Sequence, residues 1–248
     1  MHPIVPMAVI TLVLSAALWC GMLWLYSGRT MRFVRLVWLG LPLSAAVNLL
    51  VKAPIGEGVG ALAGIEPGRS LDTPLWFLVL LFMLAPVFEE LIKVAPLLAP
   101  AVRRTVATAD DALWTGMALG IGFGLGEAAY LAWGMMSAGL YTEYPWYAFT
   151  GFLSERLLVV FMHGMMTAVF LRIAKGGRPL LGYLAAMGAH AVLNSGAMLY
   201  QLGVASGWVA EVVLVVMLIA AVLILERIRP KRAAAGRAGD TVYYSAGE

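Results

Sequence analysis

Residues 74–101 read PLWFLVLLFMLAPVFEELIKVAPLLAPA. The run is long enough to cross a hydrocarbon core about 30 Å thick, which takes about 20 residues of α-helix. In lipid a single segment satisfies its own backbone polar groups only as a helix. Yet Glu89, Glu90 and Lys93 stand about halfway along it. A charged side chain at that depth costs about 2.5–3.5 kcal/mol on insertion scales, and such residues face a bundle interior and pair with one another. The stretch therefore predicts a helical membrane fold and a polar site inside it.

The rest of the chain agrees. It has 248 residues, 62% hydrophobic and only 12% charged, where soluble domains carry about 25% charged residues. Apolar segments lie at 3–26, 34–52, 74–101, 111–138, 150–171, 179–203 and 207–226. The prediction is an all-α polytopic bundle of about seven transmembrane helices, one membrane domain over 1–230 with core motifs in 85–195. The polar, Ala/Gly-rich segment 231–248 reads as a disordered cytoplasmic tail. The first run lacks a basic leader and suits a retained span. Cys20 lies within it and reads as a small apolar packing residue.

Loop charges give an orientation. Arg29, Arg32 and Arg35, then Arg103 and Arg104, then Arg172, Lys175 and Arg178, then Arg227, Arg229, Lys231, Arg232 and Arg237 all fall on one side. Lys52, Arg69 and Arg156 are assigned to the other. Positive loops stay cytoplasmic, so the N-terminus is expected outside and the C-terminus inside. The same asymmetry accounts for the net charge of +3 without nucleic acid as a partner. Residues 53–73 read as the longest outer connection, a flexible Gly-rich loop ahead of the alternatives of a lid or a re-entrant piece. Glu155 and Arg156 read as interfacial, at the start of span five. Gly120, Gly122, Gly124 and Gly126 lie in an apolar span and read as close helix packing.

Four spans carry polar groups at similar depth: Glu89, Glu90 and Lys93 on span three, Glu127 on span four, His163 on span five, and His190 with Asn194 on span six. Lys93 is within helical reach of both Glu89 and Glu90; one carboxylate is expected in the site and the other held by Lys93 or by a neighbouring helix. Phe123 shares a face with Glu127, and both Phe123 and Tyr130 read as packing. Two imidazoles and a carboxylate make a plausible three-ligand Zn2+ site with an open position for water. The other scheme is metal-free: a glutamate activates water while the histidines and Asn194 stabilise an oxyanion. Either gives amide hydrolysis at membrane depth. A proton- or ion-coupled transporter is the rival reading, because buried Glu, Lys and His also form relays. A non-catalytic scaffold is a third.

The ordered set Glu89-Glu90-x-x-Lys93, Phe123-x-x-x-Glu127, His163 and His190-x-x-x-Asn194 resembles the PrsW family of intramembrane proteases. That family is related to the CAAX-prenyl-protease and bacteriocin-processing group. That group carries Arg after its Glu pair and a histidine where this chain has Glu127, so Lys93 and Glu127 favour PrsW. One departure is Ala128, where the family often has Asn. The resemblance implies an integral peptidase of the bacterial cell membrane. Its substrates would be membrane proteins or peptides, such as a single-pass anti-sigma factor. Glu89 or Glu90 would activate water, and Glu127, His163 and His190 would bind a metal or polarise the carbonyl, assisted by Asn194.

Overall fold

The computed structural model describes residues 1–65 and 73–230. Among these the regular structure is helical: α1 (Ile4–Tyr26), α2 (Met31–Leu62), α3 (Leu75–Leu98), α4 (Ala109–Ser137), α5 (Thr150–Lys175), α6 (Pro179–Gln201) and α7 (Gly207–Ile228). They match the seven apolar segments, except that the second is much longer than its apolar run. The predicted tail over 231–248 lies outside the described residues, as do Glu66, Arg69 and Asp72 of the predicted loop.

Five of the helices are long and apolar enough to cross a membrane by length and composition. The exceptions, α4 and α6, have 29 and 23 residues and the length to cross. Their lower apolarity has a structural reason in α4, where residues 112–126 are buried without interruption. A helix enclosed by protein needs small residues for its neighbours more than large apolar ones for lipid. The glycines do this work. A Cβ on Gly120 would lie 2.2 Å from the His163 carbonyl oxygen of α5, and one on Gly116 would lie 2.5 Å from that of Thr167. On the opposite face, a Cβ on Gly122 would lie 2.1 Å from Val37 O, and one on Gly126 would lie 2.0 Å from Leu41 O. The run predicted as close packing therefore forms two contact faces, one toward α5 and one toward α2.

α1 closes the bundle over α4 and α5. Trp19 stacks on Phe161 with ring centroids 4.8 Å apart, and its Nε1–H donates to Leu157 O at 2.7 Å. α6 packs on α5, and α7 packs on α6, where Gly196 meets Ala210. The outer faces of α1 and α7 expose Val13, Leu18, Trp208, Val212, Val216 and Leu223, as expected of lipid-facing surface.

The basic connections gather at one end. Arg32 pairs with Asp111, Arg172 Nη1 lies 3.1 Å from Asp110, Lys175 Nζ donates to Val106 O at 3.0 Å, and Arg229 stacks over Tyr26. There Thr108 caps α4 in a reciprocal box with Asp111, satisfying backbone donors of the first turn.

Two corrections arise from α2 and α5. Residues 53–62 are not loop: the helix runs through a π-turn at Asn48–Lys52 and on to Leu62. Pro54 follows this turn, and a proline has no N–H for the helical ladder and clashes with the preceding turn. The widened turn lets the helix pass the break without stopping. It also carries Lys52 into the bundle, although loop-charge counting assigns Lys52 to an outer connection. Arg156 is likewise not interfacial: its side chain is 12% exposed and paired with Glu127.

Candidate active site

α3 has its own irregularity at the point that matters. It passes through a π-turn at Ala85–Glu89 around Pro86, resumes as α-helix at Glu90–Ile92, and tightens to 3-10 geometry at Ala95–Leu98, where Pro96 enters. π-turns inside helices often sit at functional sites. The Val87 carbonyl within this turn accepts the Tyr183 hydroxyl of α6 at 3.0 Å. Because Glu89 ends the π-turn and Glu90 begins the next helical stretch, the two carboxylates diverge and take different partners.

Glu90 Oε1 accepts from Lys93 Nζ at 2.6 Å and lies 2.6 Å from His190 Nδ1. A carboxylate so placed fixes the imidazole tautomer: the proton sits on Nδ1 and the Nε2 lone pair is freed. That Nε2 lies 3.9 Å from Glu89 Oε2. Glu89 Oε1 in turn accepts from Lys52 Nζ at 2.6 Å, while its Oε2 is buried with no hydrogen-bond partner. Lys93 also approaches His163 Nδ1 at 2.7 Å and lies 4.8 Å from the centroid of the Phe123 ring. An ammonium only donates, so His163 accepts at Nδ1 and carries its proton on Nε2, which faces Glu127 Oε2 at 3.0 Å. Arg156 Nη1 donates to the same Glu127 oxygen at 3.2 Å, and its Nη2 to Glu155 at 2.5 Å.

The cluster is therefore one connected network drawn from five helices. Its floor of Glu89, Glu90, Lys93, His163 and His190 is at most 2% exposed, while Lys52 and Glu127 at the rim reach 21% and 17%. Three carboxylates (Glu89, Glu90, Glu127) face three cations (Lys52, Lys93, Arg156). Isolated, each charge would be prohibitive at this depth; paired and hydrogen-bonded, they balance.

Glu89, Glu90, Lys93, Glu127, His163 and His190 all lie in this network, whereas Tyr130 packs on Trp133. Lys93 pairs with Glu90, not Glu89. Phe123 packs edge-on to His163 at 5.2 Å. Asn194 is half-buried one turn beyond His190 and makes no hydrogen bond among the described residues. The group whose potential ligand atoms all come within 4.8 Å of one another is Glu89, His163 and His190. Glu89 thus stands where sequence reading places Glu127, which bonds to His163 and Arg156 instead. The donor types match a divalent ion of the Zn2+ type, two imidazoles and a carboxylate, with Glu89 Oε2 unpartnered and the His190 Nε2 lone pair free; His163 joins them only by giving up its Lys93 contact at Nδ1 or its Glu127 contact at Nε2.

Sequence reasoning missed Lys52 and Arg156. A signal was available: they are two of the three basic residues that break the loop-charge asymmetry. A cation on the wrong side of a membrane protein can belong to the interior.

A model of the PrsW family of intramembrane metalloproteases matches residues 32–224. The chain belongs to the PrsW family. The match runs from the start of α2 to near the end of α7, so it contains Lys52 and Arg156 as well as the PrsW motifs. Comparisons with curated proteins and with solved structures return no match. Membership of the PrsW family makes the chain an integral membrane protein of intramembrane-protease type.

Proposed function

We propose that this chain is an intramembrane endopeptidase that hydrolyses peptide bonds of membrane-protein substrates at the Glu89–His190 cluster. The observation that carries the reading is the buried, unpartnered Glu89 Oε2 facing His190 Nε2. A carboxylate with one oxygen pinned and the other free is placed to accept a proton from water.

The residues divide the work. Glu89 Oε2 takes a proton as the water oxygen attacks the scissile carbonyl carbon. It returns that proton to the amide nitrogen as the C–N bond breaks. Glu90 Oε2 is buried and unpartnered as well, but we assign the base to Glu89, which shares the three-residue group with His163 and His190 and faces His190 Nε2, and we assign Glu90, bonded through Oε1 to Lys93 and His190, to holding His190 in place. Asn194, with an unengaged amide one turn away, is the donor for the developing oxyanion. Glu127 and Arg156 hold His163 from the rim. If Glu89, His163 and His190 held a Zn2+ ion, Glu89 Oε2 would be a ligand in place of its role as base, and the ion would supply Lewis-acid polarisation of the carbonyl and acidify the attacking water.

The rim opens toward the end opposite the basic connections, because Arg156 lies near the start of α5 and Lys52 past the middle of α2. By the loop-charge orientation that end is extracytoplasmic. This supports substrates cut near the outer face of the bacterial cell membrane, and by family likeness a single-pass anti-sigma factor is the first to try.

The test is cleavage of candidate single-pass membrane proteins in proteoliposomes. Glu89→Gln and His190→Ala are expected to lower the rate by roughly 10²–10⁴-fold, the range for loss of a positioned acid–base group. Wild-type rates in both variants would refute the assignment.

A further inference from the structure

We infer that Lys52 is a positioning residue of this site: it aims Glu89. The inference rests on the peptidase reading and extends it to a residue outside the sequence motifs.

Lys52 and Glu89 occupy equivalent places in their helices. Each is the last residue of a five-residue π-turn, Asn48–Lys52 in α2 and Ala85–Glu89 in α3, with a proline in or near the turn. The two irregular turns face each other, and their terminal side chains meet at 2.6 Å. The prolines account for the turns, and the turns bring the two members of one ion pair to face each other.

The pair has a directional consequence. Lys52 Nζ takes only Glu89 Oε1, and Oε2 is left buried and unpartnered toward His190. A carboxylate has one torsion that decides which oxygen faces the pocket. With Oε1 tethered to α2, that torsion is fixed before substrate arrives. Without the tether, Glu89 can turn toward the other cation near the floor, Lys93, which already bonds Glu90 and His163. Lys52 does not reach the other floor residues through any hydrogen bond among those described, so its effect passes through Glu89. This holds whether Oε2 meets the water itself or a metal ion that activates it.

The experiment compares full-length wild type, Lys52→Met, Lys52→Arg and Glu89→Gln in proteoliposomes, with a cleavable membrane-protein substrate and thermal unfolding in detergent. Lys52→Met is expected to lower kcat about 100-fold, the scale of a misplaced catalytic group. KM should stay within about threefold, because the change falls on orientation and not on binding. Lys52→Arg, which keeps a cation on the same helix position, should recover at least tenfold of that loss. Wild-type kcat in folded Lys52→Met, with Glu89→Gln inactive, would overturn the inference and leave the peptidase reading standing. Full activity in Glu89→Gln would overturn both. If Lys52→Met does not fold, Lys52→Gln takes its place with the same criteria. A kcat that tracks only the unfolded fraction, with no rescue by arginine, reduces Lys52 to a structural pair and refutes the positioning role.

Discussion

Glu90 shows what burial does to a single residue. Its side chain and that of Lys93 are fully enclosed and meet at 2.6 Å, as close as the contact between Glu90 and His190. Removing one member of such a pair leaves an uncompensated charge and costs about 3–5 kcal/mol, whereas replacing both can be close to neutral. Lys93→Met is therefore expected to lose stability on that scale in denaturation titrations, and Lys93→Met with Glu90→Gln to regain most of it. Metal dependence is also decided by single residues. Purified protein is expected to carry about one Zn2+ per chain, matching the one three-ligand cluster among the described residues. A strong chelator should remove metal and activity together, and added Zn2+ should restore both. Full activity in metal-stripped protein would assign the chemistry to the glutamate alone. The residues were unevenly legible. Glu89, Glu90, Glu127, His163 and His190 stand out because charge inside an apolar run has no cheap explanation. Lys52 and Arg156 lie near the ends of such runs, where a basic residue reads as an ordinary interface anchor, and only their three-dimensional partners show otherwise.

At the level of elements, α4 is the organising helix, and its glycines set the distances. Gly122→Ala would drive a Cβ to 2.1 Å from a backbone oxygen of α2, an obstacle no rotamer change relieves. The expected cost is about 1–3 kcal/mol or more. Gly188→Ala in α6 meets nothing within 4 Å and should stabilise by about 0.5–1 kcal/mol through helix propensity alone. Thermal unfolding of the two variants should move in opposite directions, and a shared sign would remove the packing account. The helices themselves were readable from apolar length. The length of α2 was not, because its second half is Gly-rich and follows a proline, features that signal a loop wherever no partner helix is known. Here α3 supplies that partner: Gly56 lies against Leu81, and Gly60 against Phe77.

For the whole molecule, the bonds among Arg32, Asp111, Arg172, Asp110, Lys175 and Val106 establish that the basic connections share one end. The positive-inside rule then makes that end cytoplasmic. In a Cys20→Ala background, a cysteine at Ser206, between α6 and α7, should react with a membrane-impermeant thiol reagent in intact cells. One at Gly177, between α5 and α6, should react only after lysis. The reverse pattern would invert the orientation and place the rim of the site on the cytoplasmic side.

The balance of three carboxylates against three cations has an electrical meaning. A membrane potential of 100 mV does about 2.3 kcal/mol of work on one elementary charge moved across it. With both imidazoles neutral, no ion bound and the half-exposed Glu155 left aside, the three carboxylates and three cations cancel, so a uniform field exerts no net force on the cluster as a unit. Such a centre is suited to hydrolysis at a steady rate in resting and energised cells, unlike one that moves charge with every cycle.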